Sequence, residues 1–220
     1  MAYFALEKDE MTINDQFFLP PQEVAKLFEI AQTGAAGSSH SLRDFLGLTS
    51  EIQLNCLSFL PFHVLLDRIT LYYQNHIGFH LRFSGEISGE IYTFFRDQHA
   101  LMIIERMLGR KRKKSWGKLN RIEISVLSEL ANIISNSFWR SLAEQAPLNW
   151  WITPPVYVTD LCRSISNSSK VHALEPMLIH FEYLAPTLGL RTQMVLLPNQ
   201  YTMKKILDKL SSAEELLDFD

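Results

Sequence analysis

Apolar and polar positions alternate along the chain with two distinct periods. Ala25, Leu27, Phe28, Ile30 and Ala31 give a helix that begins at Pro20-Pro21, and Leu42, Phe45 and Leu46 resume its pattern. Between them lies Thr33-Gly34-Ala35-Ala36-Gly37-Ser38-Ser39. That run reads either as a loop or as helix whose small residues admit a close neighbour. Alternation over Glu51 to Leu57 predicts a half-buried strand, and Pro61 to Arg68 predicts a short helix. Ile77 to Phe83 and Ile91 to Phe95 alternate about the turn residues Gly85 to Gly89, which predicts a hairpin. Asp97 is placed to cap a helix through Leu108, with Leu101, Ile104 and Leu108 on one face and Gly109 as its stop.

The second half runs through similar elements. A long helix pattern covers Leu119 to Ala146 and ends before Pro147. Trp150 to Val158 is strand-like, and Pro154-Pro155 puts part of it at an edge or bend. Ser164 to Ser169 reads as a polar loop. Met177 to Tyr183 and Thr192 to Leu197 predict a second hairpin, and Asn199 is placed to cap a last helix carrying Met203, Ile206 and Leu210. The acidic tail from Glu214 to Asp220 is expected to fray.

The order of elements in residues 20–109 thus returns in residues 118–211. Phe95-Arg96-Asp97-Gln98, followed by Leu101, Ile104 and Leu108, lies over Leu197-Pro198-Asn199-Gln200, followed by Met203, Ile206 and Leu210, at an offset of 102 residues throughout. Glu29 and Glu129 pair at an offset of 100. Tandem duplication explains this better than chance. The expected organisation is an N-terminal extension (1–19), one domain (20–211) and an acidic tail (212–220). Within the domain, half one spans 20–109, a basic loop 110–117 and half two 118–211. The fold class expected is α+β: two pseudo-symmetric halves of long helix, strand, β-hairpin and helix, sharing a largely antiparallel sheet with flanking helices.

Composition narrows the function classes. Of the 220 residues, 47% are hydrophobic and 20% charged, which suits a packed core rather than a disordered chain. The net charge of −3 leaves no overall basic field for binding nucleic acid. The Gly109 to Gly117 run, Gly-Arg-Lys-Arg-Lys-Lys-Ser-Trp-Gly, reads first as a solvated loop between halves. No apolar run is long enough to span a bilayer, and the first fifteen residues do not form a secretory signal. Cys56 and Cys162 sit in strand-like apolar contexts and read as reduced core residues, which fits a cytoplasmic location. The seven histidines make no spaced ligand set, so no metal site of the protein's own is expected, and His63, His80 and His180 read as structural. Of Trp150-Trp151, one ring is expected in the core.

The chemistry-bearing candidates lie on the second long helix. At about 100° per residue, Ser125, Glu129, Asn132 and Asn136 fall on one narrow stripe. Val126, Leu127, Leu130, Ile133, Ile134 and Phe138 fill the opposite side. Solvated stripes are usually built of Lys and Glu, whereas Asn and Ser are mediocre helix formers. Something other than helix stability therefore selects them. Periodicity alone leaves a plain solvated face open as the other reading.

The spacing Ser125-x-x-x-Glu129-x-x-Asn132, then twenty-two residues, then Pro155, resembles the signature of the CheC/CheX/FliY chemotaxis phosphatase family. Phe83-Ser84-Gly85-Glu86-Ile87-Ser88-Gly89 resembles that family's glycine-containing hairpin turn, and Ala100 to Gly109 resembles its helix ending in Leu-Leu-Gly. The tandem halves resemble CheC. This likeness covers residues 20–210.

The resemblance implies a CheC-like fold and a protein aspartyl-phosphate phosphatase that dephosphorylates a CheY-like response regulator. It implies that Asn132 orients the attacking water and Glu129 engages the partner's lysine, with Ser125 and Pro155 in support. No cofactor of the protein's own is implied; Mg²⁺ is expected on the partner regulator. A CheD-like partner follows from resemblance alone, and the built-in duplication favours a monomer. The first site is degenerate: Glu29 matches, but Gln32 replaces Asn, Ala25 replaces the Asp or Ser, and Asn55 stands in the place of the proline. Gln32 carries its amide one methylene further out, a displacement that can cost on the order of 10²-fold in rate. In the second helix Ala131 departs from the usual Gly, and Trp139 is expected to narrow access to the stripe or add a contact. The competing reading is a non-catalytic module, like the related central domain of the flagellar switch protein FliM, that docks a regulator or switch component. A stand-alone protein, without the further C-terminal domain of FliY or FliM, is the expectation.

Overall fold

The computed structural model describes residues 21–46, 51–61, 64, 67, 76–111, 119–146, 148–171, 177–186 and 189–215. Its elements in order are α1 (Pro21–Leu46), β1 (Gln53–Pro61), β2 (His76–Gly85), β3 (Gly89–Arg96), α2 (Asp97–Leu108), α3 (Arg121–Gln145), β4 (Trp150–Ile152), β5 (Val156–Val158), α4 (Leu161–Val171), β6 (Met177–Ala185), β7 (Leu190–Pro198) and α5 (Gln200–Glu215). The architecture is α+β, with an antiparallel sheet in the order β1-β6-β7-β3-β2-β4 and β5 also paired to β2.

The two hairpins lie side by side through β3 and β7, and each is flanked by a strand from the other half. β1 pairs with β6, while β4 and β5 pair with β2. Where Pro154 and Pro155 cannot donate to the ladder, Thr153 takes over: its N–H donates to the Arg82 carbonyl at 2.8 Å and its hydroxyl accepts from the Arg82 N–H at 2.9 Å.

The constant offset of 102 needs correction in the last strands. Phe83 pairs with Gly89, but Ala185 pairs with Leu190, so the second turn is one residue shorter. The β3-to-β7 offset is therefore 101, and Phe95 corresponds to Leu196 rather than Leu197. Asn199, standing between β7 and α5, restores 102 for the buried positions Ala100/Thr202 and Ile104/Ile206. At offset 101, Thr93 and Met194 are equivalent, and they face each other directly across the ladder. That pair marks the pseudo-twofold axis.

The main core lies between one sheet face and helices α1, α2, α3 and α5. Its strand residues include Phe79, Leu81, Phe83, Ile91, Phe95, Phe181, Met194 and Leu196. A smaller cluster occupies the other face, where Leu161 and Ile165 of α4 cover Tyr92, Phe94, Val195 and Leu197.

The small-residue run of α1 is helix, not loop. A Cβ on Gly34 would stand 2.7 Å from the Phe138 Cα, so glycine is needed for α1 and α3 to approach this closely. Gly109, at φ 62°, stops α2 in the left-handed conformation. Asn199 accepts from the Thr202 N–H at 2.7 Å at the start of α5.

Several expectations fail. Ser164 to Ser169 belongs to α4: Leu161 and Ile165 bury on the sheet, and Asp160 accepts from the Arg163 N–H at 2.9 Å, which outweighs poor Ser and Asn propensity. Asp97 is the first helical residue of α2 rather than its cap; Arg96 holds the cap position without a side-chain bond. Cys162 lies on α4, not a strand, and both cysteines are half-buried thiols rather than core residues. Helix α5 runs to Glu215, past the boundary drawn at 211. The N-terminal extension, most of the basic loop, most of the Pro61 to Arg68 segment and residues 216–220 lie outside the described residues.

Candidate functional site

Helix α3 is fixed at its start by a reciprocal cap. The Asn120 side chain accepts from the Glu123 N–H at 3.0 Å, and the Glu123 carboxylate accepts from the Asn120 N–H at 2.8 Å. From that start, Leu127, Leu130, Ala131, Ile134, Ser135, Phe138, Trp139 and Leu142 face inward and are buried. Ser135 meets the sheet at its axis, with its hydroxyl 3.0 Å from that of Thr93. Rotation of the helix is set by these contacts, and the outward stripe follows.

Ser125, Glu129 and Asn136 are exposed and Asn132 is half-buried. Glu129 and Asn132 are one turn apart, as the spacing predicts. Glu129 has no cationic partner among the described residues. The Asn136 amide nitrogen donates to Asn132 Oδ1 at 2.7 Å and to the Asn132 backbone carbonyl at 2.9 Å. Pro155 is half-buried between β4 and β5, and its carbonyl accepts from the Ser128 hydroxyl at 3.5 Å. It therefore meets α3 at Ser128, about 60° around the helix from Ser125.

Two sequence readings of α3 change. Trp139 does not border the stripe: it is fully buried, with its ring 4.4 Å from that of Phe83 and 5.0 Å from that of Trp150. Ala131 is also buried, so its methyl group does not alter the outer surface. Trp150 is half-buried while Trp151 is exposed.

On α1, Glu29 and Gln32 are exposed, as are Ala25 and Ala36 at the places of Ser125 and Asn136. The Thr33 hydroxyl donates to the Glu29 carbonyl at 2.9 Å. No side chain on this stripe holds Gln32 as Asn136 holds Asn132.

His80 and His180 lie on the sheet. His80 Nε2 is 3.0 Å from Glu90 Oε2 and its ring stacks on Tyr92; His180 Nε2 is 3.2 Å from Gln193 Oε1. His63 lies outside the described residues. Among the described residues no group of three His, Cys, Asp or Glu could hold a metal ion, and no helix is long and apolar enough to cross a membrane. The capping box is written in the sequence as Asn120-x-x-Glu123, and the Asn132–Asn136 pair as two amides four residues apart.

No protein-family model matches the sequence, and no curated protein aligns with it. Solved structures do. FliY from Thermotoga maritima is similar over 90% of this chain and 100% of that chain, with a TM-score of 0.68 at 16% identity. FliM in a FliM-SpeE complex from H. pylori is similar over 90% of this chain and 98% of that chain, with a TM-score of 0.67 at 14% identity. CheX from Vibrio vulnificus is similar over 78% of this chain and 99% of that chain, with a TM-score of 0.53 at 18% identity. At these identities the likeness establishes the fold: the chain folds as CheX, FliY and the FliM middle domain do.

Proposed function

We propose that this chain, with its CheC-like fold, is a member of the CheC/CheX/FliY family and hydrolyses the aspartyl phosphate of a CheY-like response regulator. The observation that carries the proposal is the outward placement of Glu129 and Asn132 one turn apart on α3, open to a docked protein surface. In this reading, residues 20–211 are one domain of two related halves, and only the second half is active.

Hydrolysis of an aspartyl phosphate needs little covalent work from the catalyst. Water attacks phosphorus in line, the bond from phosphorus to the aspartyl oxygen breaks, and the carboxylate and inorganic phosphate separate. Catalysis is mostly positioning and charge stabilisation. Asn132 holds the attacking water through its amide, and Glu129 engages the regulator's lysine, fixing the register of docking. Mg²⁺ on the regulator neutralises phosphoryl charge there, and this chain contributes no ligand to it. Pro155 and Ser125 support the stripe from its flanks. The same reading makes the protein cytoplasmic and a monomer, with a CheD-like protein as a further partner.

A second reading is favoured by one observation: likeness to FliM, with a TM-score of 0.67, is higher than to CheX, with 0.53. FliM from H. pylori has been solved in complex with FliG. Here the chain would be a non-catalytic module docking a regulator or a switch component.

Phosphate release separates the two. A CheY-like receiver from the same organism is charged with acetyl phosphate in Mg²⁺ and mixed with the protein. The phosphatase reading expects acceleration that Asn132→Ala reduces by about 100-fold while receiver binding is retained. Gln32→Ala should stay within about twofold of the unsubstituted protein, because its amide is misplaced. Binding by the unsubstituted protein without acceleration would overturn the phosphatase and favour the module.

A further inference from the structure

We propose that Asn136 is a positioning residue that decides which end of the Asn132 amide faces the docked partner. The inference rests on the hydrolytic reading of α3. The Asn136 side chain reaches two atoms of Asn132, the backbone carbonyl at 2.9 Å and the side-chain oxygen at 2.7 Å. A backbone carbonyl can only accept, so the Asn136 atom beside it is the amide nitrogen. That nitrogen can only donate, so the Asn132 atom facing it is the oxygen. The orientation of both amides is thus fixed by the main chain.

The consequence is directional. With its oxygen engaged by Asn136, Asn132 keeps its NH₂ group for the docked partner. An amide whose oxygen already accepts a hydrogen bond is also a better donor, because the bond polarises the group. Asn132 is held before the partner arrives, which removes rotamer freedom that would otherwise be lost in the reaction. A bare i,i+4 amide pair adds only about 0.2–0.5 kcal/mol to a helix, and Asn has modest helix propensity. Helix stability does not account for an exposed Asn136 beside a half-buried Asn132 here. Helix α1 supplies the contrast: Ala36 stands at the place of Asn136, and the amide there is Gln32. The holding side chain and the held one differ together.

The test uses the full chain with the acetyl-phosphate-charged receiver in Mg²⁺, under steady-state conditions. Asn136→Ala should lower kcat about tenfold with KM unchanged, because binding is intact and only orientation is lost. Asn136→Asp should lower kcat about 100-fold, since a carboxylate can only accept and turns the Asn132 amide over. Asn136→Gln retains the donor and should stay within about threefold of the unsubstituted protein. Thermal unfolding should not move in any of the three, because residue 136 is exposed. A second readout is independent of turnover: in ¹⁵N spectra the Asn132 side-chain amide should shift in Asn136→Ala and stay in place in Gln32→Ala. Unchanged kcat in Asn136→Ala beside a lost rate in Asn132→Ala would overturn this inference alone. No acceleration by the unsubstituted protein, or none lost in Asn132→Ala, would overturn the hydrolytic reading and this inference with it.

Discussion

Helices α1 and α3 bury matching positions and present different surfaces. At an offset of 100, residues 27, 30, 31, 34, 35, 38, 39 and 42 of α1 are buried, and so are 127, 130, 131, 134, 135, 138, 139 and 142 of α3. Their sizes are complementary rather than equal. Gly34, Ser38 and Ser39 stand where α3 has Ile134, Phe138 and Trp139, and Gly34 lies directly against the Phe138 backbone. One helix supplies bulk and the other makes room for it. Outside, the carboxylate is kept on both stripes, but the held amide is present only on α3. The difference teaches that the inward pattern answers to packing, a demand from which the outward one is free.

Substitutions at matched positions sharpen this. The largest effect should come from Trp139→Ala, which empties the space between Phe83 and Trp150 and should cost about 3–5 kcal/mol in denaturant unfolding. At the matched place, Ser39 accepts from the Ile52 N–H at 2.6 Å, so Ser39→Ala should cost about 1–3 kcal/mol through an unpaired buried donor. An equal loss at the two positions would break the size argument. Next, Gly34→Val forces α1 from the Phe138 backbone and should cost about 3 kcal/mol in the same measurement. A neutral result would mean the helices can separate freely. Third comes the contrast at 132 and 32 in phosphate release: the expected 100-fold loss on α3 against almost none on α1 corresponds to about 2.7 kcal/mol. Equal losses would mean both stripes are active.

The smallest effect concerns the hairpin turns of the two halves. Glu86, in the first turn, accepts from the Asn149 N–H at 2.7 Å and pairs with Lys205 at 3.1 Å. The Asn149 hydrogen bond first, and then Lys205, hold its carboxyl below the ordinary carboxylate range. A lowered folded-state value means that the contribution is present above the unfolded-state value and is lost as pH falls through the folded one. Glu86→Gln should therefore lower stability slightly at neutral pH and flatten the acid limb of a stability-versus-pH curve, the two proteins converging as pH falls. An unchanged acid limb would remove Glu86 from the account.

Much of this was legible in the sequence. Period and punctuation located both long helices and both hairpins, and Gly109 and Asn199 marked ends correctly. The stripe on α3 follows from helix geometry alone, and it is where the structure puts it. Other features depended on tertiary partners. α4 carries four serines and an asparagine, and the sheet face under Leu161 and Ile165, with the Asp160 cap, makes it a helix. Trp139 lies about 60° around the helix from the stripe centre, yet it is four residues from buried Ser135 and three from buried Leu142, and the packing takes it inward. The one-residue difference between the turns was hidden because Asn199 compensates for it before α5. The role inferred for Asn136 needed distances, since spacing alone does not say which atom faces which.

The exchange of flanking strands between hairpins has a further consequence. Because β1 completes the sheet beside β6, and β4 and β5 complete it beside β2, neither half carries the neighbour that its own hairpin needs. Cut apart, each would leave an open ladder edge and an uncovered apolar face. The first half is thus held to its shape by the needs of the second, even where its own stripe lacks the held amide. Its outer surface is free to vary or to take up another task, while its inner surface is not.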